Sequence, residues 1–291
     1  MRGYLIILCG YAGWGLFPLY WSLLNHVPAL EVLLHRMLWA MPLLLLLVVI
    51  SHRRRQQVTA TCRSWSAMRL LIISSLVISV NWGVYIWAVA NARVVEASMG
   101  YFLTPLLNVL TGIIVLHERI DRITLTAIAF AAIGVFYYII STSVVPWAGL
   151  AVGVSFAAYG FLRKQMDTNA IPGLFIETVV LLPLTLPIIL WLHIHELAMF
   201  LNNDSSTDLL LILGGPVTVL PLVFFTAGTR LLPMSTVGIL FYVTPTLQFL
   251  CGVLVLDEAF DSHRLISFAG IWIGLAIFSY GLIRRNRQVN A

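Results

Sequence analysis

Apolar residues fall in blocks near 20 long, and short polar or basic stretches separate them. The blocks occupy 4–24, 31–50, 70–91, 94–117, 123–141, 147–164, 172–193, 209–229, 235–256 and 264–283. At ~1.5 Å per residue each can cross a hydrocarbon core of ~30 Å as a helix. The pattern predicts an all-α polytopic membrane protein with ten transmembrane helices. The longest connections, around His52–Ser66 and Ile194–Asp208, read as polar loops, and none is long enough for a separate domain. The first block carries Gly10, Gly13, Trp14, Gly15 and Pro18 and lacks a small-x-small cleavage pattern, so it reads as a retained helix rather than a signal peptide.

Composition sharpens this picture. Hydrophobic residues make up 60% of the chain and charged residues 10%, against roughly 25% charged in soluble proteins. The net charge of +5 invites a nucleic-acid reading, but its placement argues for topology. With the N-terminus inside, Arg2, Arg53, Arg54, Arg55, Arg63, Arg69, Arg119, Arg122, Arg163, Lys164, Arg230, Arg284, Arg285 and Arg287 all lie on the inner side. Arg36, Arg93 and Arg264 are the exceptions. The positive-inside rule then puts both termini in the cytoplasm and removes the case for nucleic acid. Cys9, Cys62 and Cys251 have no disulfide or metal spacing. His193 and His195 would point apart on a helix, so no metal is expected. No glycine loop followed by Lys-Ser/Thr is present, and no cofactor is expected.

Residues 101–118, YFLTPLLNVLTGIIVLHE, align without a gap to residues 241–258, FYVTPTLQFLCGVLVLDE. Thr104/Thr244, Pro105/Pro245, Gly112/Gly252 and Glu118/Glu258 are among the identical pairs. The two copies belong to the fourth and ninth blocks, an odd number apart, so they cross the membrane in opposite directions. The chain is expected to form two inverted five-helix repeats, residues 1–143 and 144–291. Such halves can exchange conformations around a shared midplane site, which is alternating access. Pro105 and Pro245 are expected to act as hinges or fixed bends. Ala269, Gly270 and Gly274 form a small-residue face that serves packing within the fold or a homodimer seam, with packing preferred.

Charges inside apolar helices need water or partners. Glu31 and His35 share a helix face with Arg36 beside them, and Glu177 occupies the inverted counterpart of Glu31. Together with Glu96, these are the candidates for charge recognition or coupling. Burial raises a carboxylate's affinity for protons, which makes Glu31 and Glu177 candidate proton carriers. Asn81, Asn108 and Gln248 are polar side chains within spans, and Tyr85, Tyr101, Phe241 and Tyr242 are aromatics near the proline motif. These seven are expected to line a substrate cavity. Glu118, Asp257 and Glu258 fall at span ends and read as interfacial.

The stretches VPALEVLLHRMLW (27–39), NWGVYIWAVANARVVEASMGYFLTPLLNVLTGIIVLHER (81–119) and GLFIETVVLLP (173–183) resemble the RarD group of EamA-type transporters, in the drug/metabolite transporter superfamily. The resemblance covers nearly the whole chain. It implies ten helices in two inverted halves, a bacterial inner-membrane location, and export or exchange of small metabolites or drugs through a central cavity. Asp257 and Ala259 depart from the Gly-Glu-Lys/Arg ending common in that superfamily. The resulting expectation is a secondary active transporter of a small organic solute, with proton coupling, seated among membrane lipids. A membrane-embedded lipid-modifying enzyme would need clustered Asp/His or a nucleophile–base pair at one face, and none is evident. A receptor or scaffold would not need equivalent inverted halves.

Overall fold

A computed structural model describes residues 2–90, 94–142, 147–255 and 262–289, and no strand occurs among them. The helices are α1 (Arg2–Gly15), α2 (Phe17–Trp21), α3 (Ala29–Val49), α4 (His52–Arg63), α5 (Trp65–Ala90), α6 (Val94–Leu110) and α7 (Arg122–Thr142). They continue with α8 (Trp147–Gln165), α9 (Ala170–Ile194), α10 (Ser205–Thr229), α11 (Met234–Phe241), α12 (Val243–Leu254) and α13 (Ser262–Val289). Every apolar block predicted from sequence is helical where described. Among the described residues, seven stretches are both long and apolar enough to cross a membrane, and residues 103–115 and 268–281 form shorter apolar helical runs. Large aliphatic side chains such as Ile133, Ile140, Leu186 and Leu190 face outward, as contact with lipid tails requires.

The stretch expected as a loop around His52–Ser66 is in fact the helix α4. Its glutamines, alanine and arginines are good helix formers, and tertiary contacts hold it. Arg54 donates to the Leu47 carbonyl at 2.7 Å, and Thr61 lies 3.2 Å from Thr168 between α8 and α9.

Prolines set where the helices break. Pro18 cannot donate to the Trp14 carbonyl, and the chain breaks at Leu16 between α1 and α2. Pro245 likewise cannot donate to the Phe241 carbonyl, and the ninth block breaks at Tyr242 into α11 and α12. In α6 the helix runs on past Pro105 and loosens only later, in a π turn over Thr111–Val115. The helix is thus interrupted beside Pro245 and continuous through Pro105.

The two halves interleave. The main pairings are α7 with α13, α6 with α8, α3 with α10, α1 with α10, and α5 with α8. Exchanging the first five blocks for the last five maps each of these pairs onto another pair that is in contact. The α1–α10 pair maps onto α8–α5, α3–α10 onto α9–α5, and α6–α8 onto the α11/α12–α1 pair. The α3–α9, α6–α11 and α7–α13 pairs map onto themselves. This is the pattern of a pseudo-two-fold arrangement. The small-residue face of α13 is used inside the fold. A Cβ on Gly270 would stand 3.1 Å from the Gly134 Cα, and one on Gly274 would stand 2.6 Å from the Ala127 carbonyl oxygen.

Candidate functional site

Five helices, α3 and α5 from the first half and α8, α9 and α10 from the second, enclose a cavity of about 40 Å3. At ~10–15 Å3 per water it has room for roughly three waters, too little for an organic solute as it stands. Its walls are mostly apolar, with Met37, Ala40, Leu44, Ile78, Leu181 and Leu222 among them. Arg36, Trp82, Tyr159, Glu177, Thr178, Thr185 and Thr218 add the polar and aromatic groups. A mostly apolar hollow with a few converging polar groups is the usual form of a small-molecule site.

Arg36 projects from the second turn of α3. Its guanidinium carbon lies 5.8 Å from the Trp21 ring centre and 5.2 Å from that of Trp82. Its Nε is sealed from solvent without an acceptor, and among the described residues no group accepts a hydrogen bond from this side chain. Thr218 Oγ1, on the α10 wall, is also buried without a partner. Gly214, one turn earlier on α10, lets this wall come close: a Cβ there would stand 3.6 Å from Trp21 and 3.7 Å from the Arg36 Cβ.

Glu177 is the opposite case, with every need met. Ser74 Oγ donates to its Oε1 at 2.5 Å, Tyr159 Oη donates to its Oε2 at 3.1 Å, and Arg163 Nη1 stands 3.4 Å from Oε1. Arg163 is only 1% exposed and Glu177 4%. The guanidinium fits because position 173 is glycine: a Cβ there would lie 2.2 Å from Arg163 Nη1. Removing one partner of such a buried pair typically costs about 3–5 kcal/mol, because the other charge is left uncompensated.

The remaining expected site residues are placed elsewhere. Glu31 accepts the Met199 N–H at 2.9 and 3.0 Å and the Phe200 N–H at 2.9 Å, so its carboxylate anchors the loop after α9. His35 Nε2 is 3.9 Å from Glu31, its ring packs 4.5 Å from Phe200, and its Nδ1 accepts from Trp39 Nε1 at 3.1 Å. Asn81 ties α5 to α8 by donating to the Val152 carbonyl at 2.7 Å and to Ser155 Oγ at 2.9 Å. Tyr85 and Tyr101 meet edge to face at 6.3 Å. Phe241 packs with Tyr11, Trp14 and Phe156, while Tyr242 sits in a second core with Leu103, Val135 and Phe268. Gln248 donates to the Trp14 carbonyl at 3.2 Å. Asn108 is wholly buried, with both amide atoms unpaired. The side chain of Glu96 lies outside the described residues, as do Asp257 and Glu258.

Of the candidates from sequence, the cavity wall thus includes Arg36 and Glu177. Arg163, Ser74 and Thr218 were missed. Arg163 reads from sequence as one of a basic pair marking the inner side, and the serine and threonine carry no pattern. Tyr159 had a signal, because Tyr159-Gly160 is the repeat counterpart of Trp14-Gly15. Glu118, read as interfacial, accepts from the Met234 N–H at 2.6 Å and from the Ser235 N–H and hydroxyl at 3.0 and 2.7 Å, capping α11. Among the described residues no cluster of three metal-ligating side chains occurs.

The EamA-like transporter family matches residues 1–140 and, again, residues 144–280. The chain is 37% identical to an uncharacterized transporter of Pseudomonas aeruginosa, over 99% of this chain and 96% of that one. It is 36% identical to the protein RarD of Escherichia coli, over 99% and 97% of the two chains. With the uncharacterized transporter YojE of Bacillus subtilis the identity is 34%, over 98% and 96%. A crystal structure of a protein 18% identical superposes with a TM-score of 0.71, covering 95% of this chain and 96% of that one, and so shares the fold.

Proposed function

We propose that this chain, which belongs to the EamA-like transporter family, moves a small organic solute across a bacterial inner membrane by alternating access, coupled to protons. Residues 1–143 and 144–291 act as the two exchanging halves, with both termini in the cytoplasm. The observation that carries this reading is the small cavity whose walls come from helices on both sides of residue 143 and bear Arg36 and Glu177. A rocking motion that separates α3 and α5 from α8, α9 and α10 on one face, then the other, would expose that hollow in turn.

Glu177 is the proton carrier in this reading. Protonation removes the negative charge that holds Arg163 and leaves Ser74 and Tyr159 competing for a neutral acid. The guanidinium is then free to move, and with it the end of α8. A thermal-shift screen of metabolites and antibiotics on detergent-purified protein identifies a solute, since a ligand of the folded state raises its melting temperature. In vesicles, Glu177→Gln should retain solute exchange at equal pH but lose accumulation driven by a pH gradient. Undiminished gradient-driven accumulation in that variant would remove Glu177 from the coupling role. Absence of any solute flux through the unmodified protein would end the transport reading itself.

A further inference from the structure

Among the described residues, the two ends of the cavity differ in how their charges are met. At one end Glu177 is matched by Arg163. At the other, Arg36 finds no acceptor among the described residues, and Thr218 Oγ1 on the facing helix is equally unpartnered. An arginine within an apolar span is costly without partners, and ring faces such as those of Trp21 and Trp82 offset only part of that cost. The rings do not use the guanidinium N–H groups, and among the described residues the buried Nε–H of Arg36 has no acceptor. Gly214 brings α10 against the Arg36 Cβ, and Thr218 is one turn further along that same helix face.

Resting on the transport reading above, we infer that the solute is a monoanionic organic acid with an apolar body. Its carboxylate seats on Arg36, flanked by Trp21 and Trp82, with the Thr218 hydroxyl as a second donor. Its apolar body lies along Met37, Ala40 and Leu44. One unmatched cation fits one negative charge: a dianion would leave a charge unpaired in low dielectric, and a cation would meet like charge. Guanidinium is the donor that matches the two oxygens of a carboxylate, and the aliphatic walls favour a solute with little else that is polar.

The test uses purified full-length protein in detergent, read by melting temperature and tryptophan fluorescence. The probes are acetate, hexanoate, phenylacetate and indole-3-acetate, with phenylacetamide and phenethylammonium as neutral and cationic isosteres of phenylacetate. Saturable binding is expected for the carboxylates, tightening as the apolar body grows, and at least tenfold weaker for the amide and the amine. Arg36→Gln should weaken phenylacetate at least tenfold. Arg36→Lys, which keeps the charge without the fork, should fall between Arg36→Gln and the unmodified protein, and Thr218→Val should weaken it several-fold. The inference is overturned if no carboxylate binds saturably, if the amide binds as well as the acid, or if Arg36→Gln leaves the affinity unchanged. Should Arg36→Gln fail to fold, the acid-against-amide ratio on the unmodified protein decides. Vesicle flux separates the two readings. Arg36-dependent binding without flux sinks transport and keeps the acid site, whereas flux of other solutes with no carboxylate binding does the reverse.

Discussion

The fourth and ninth blocks carry the same proline motif and adopt different shapes. Around Pro105 the helix α6 is continuous and relaxes through a π turn at Thr111–Val115. Around Pro245 the chain breaks at Tyr242. The difference follows the neighbours. The ninth block lies beside α1, itself broken before Pro18, where exposed carbonyls need donors. Gln248 reaches the Trp14 carbonyl, Thr244 Oγ1 reaches that of Tyr11 at 3.0 Å, and Tyr11 Oη donates to the Val237 carbonyl at 2.9 Å. The fourth block lies beside α8, which is unbroken. Asn108, the repeat partner of Gln248, therefore stands near Gly160 with nothing to bond: its Oδ1 is 3.8 Å from where a Cβ on Gly160 would be. A proline permits a break in a membrane helix, and the partner helix decides whether one forms.

The comparison can be tested hardest where the two proline helices touch. A Cβ on Gly238 of α11 would lie 2.4 Å from the Pro105 carbonyl oxygen and 2.9 Å from a Val109 methyl. Gly238→Val should therefore cost about 3 kcal/mol or more, read as a collapse of the detergent melting temperature. A melting temperature near that of the unmodified protein would mean the two helices do not approach as described. The two amides give a more discriminating pair. Gln248→Leu strands the Trp14 carbonyl and should cost about 1–3 kcal/mol, whereas Asn108→Leu removes two unpaired atoms and should leave stability unchanged or raise it. Equal losses in both would break the contrast between the copies.

Smaller effects sharpen it. Glu118→Gln keeps an acceptor for the α11 N-terminus but removes the charge, at a cost of about 1 kcal/mol, visible as a modest drop in melting temperature that salt reduces. The smallest effect is expected at Asp204, the N-cap of α10. Hydrogen bonds from Ser206, then from the Thr207 N–H and hydroxyl, hold its carboxyl well below the usual carboxylate range. A lowered folded-state value means that its stabilisation is present above the unfolded carboxylate's ~3.9 and fades as pH falls below it. Asp204→Asn should flatten the acid side of the melting profile between pH 4 and neutrality very little, and mainly below about pH 4. A loss of melting temperature that appears only below pH 4 and is absent near neutrality would contradict the geometry.

Much of the scaffold was legible from the residues. Block length located the apolar helices, and the copied motif foreshadowed the pairing symmetry. The α4 helix was missed because its polar face carries no apolar period, and its order comes from contacts with Leu47 and Thr168 that are distant or invisible in a local window. The site was half legible. Arg36 and Glu177 stand out because charge in an apolar block demands a reason, but the same rule also selected Glu31, which three backbone N–H bonds satisfy. Polar type alone does not separate a group spent on the scaffold from one left free. That distinction depends on which helix ends up opposite, as Gln248 and Asn108 illustrate.

The interleaving of the halves bears on how the protein is made. A ribosome delivers α1 to α7 before any of their main partners exist: α1 and α3 await α10, α6 awaits α8, and α7 awaits α13. The early segments must therefore wait in the bilayer as separate rods, and the last one to emerge, α13, completes the assembly. Two polypeptides cut between residues 142 and 147 should still find each other when produced in one cell, while either alone should be cleared by quality-control proteases.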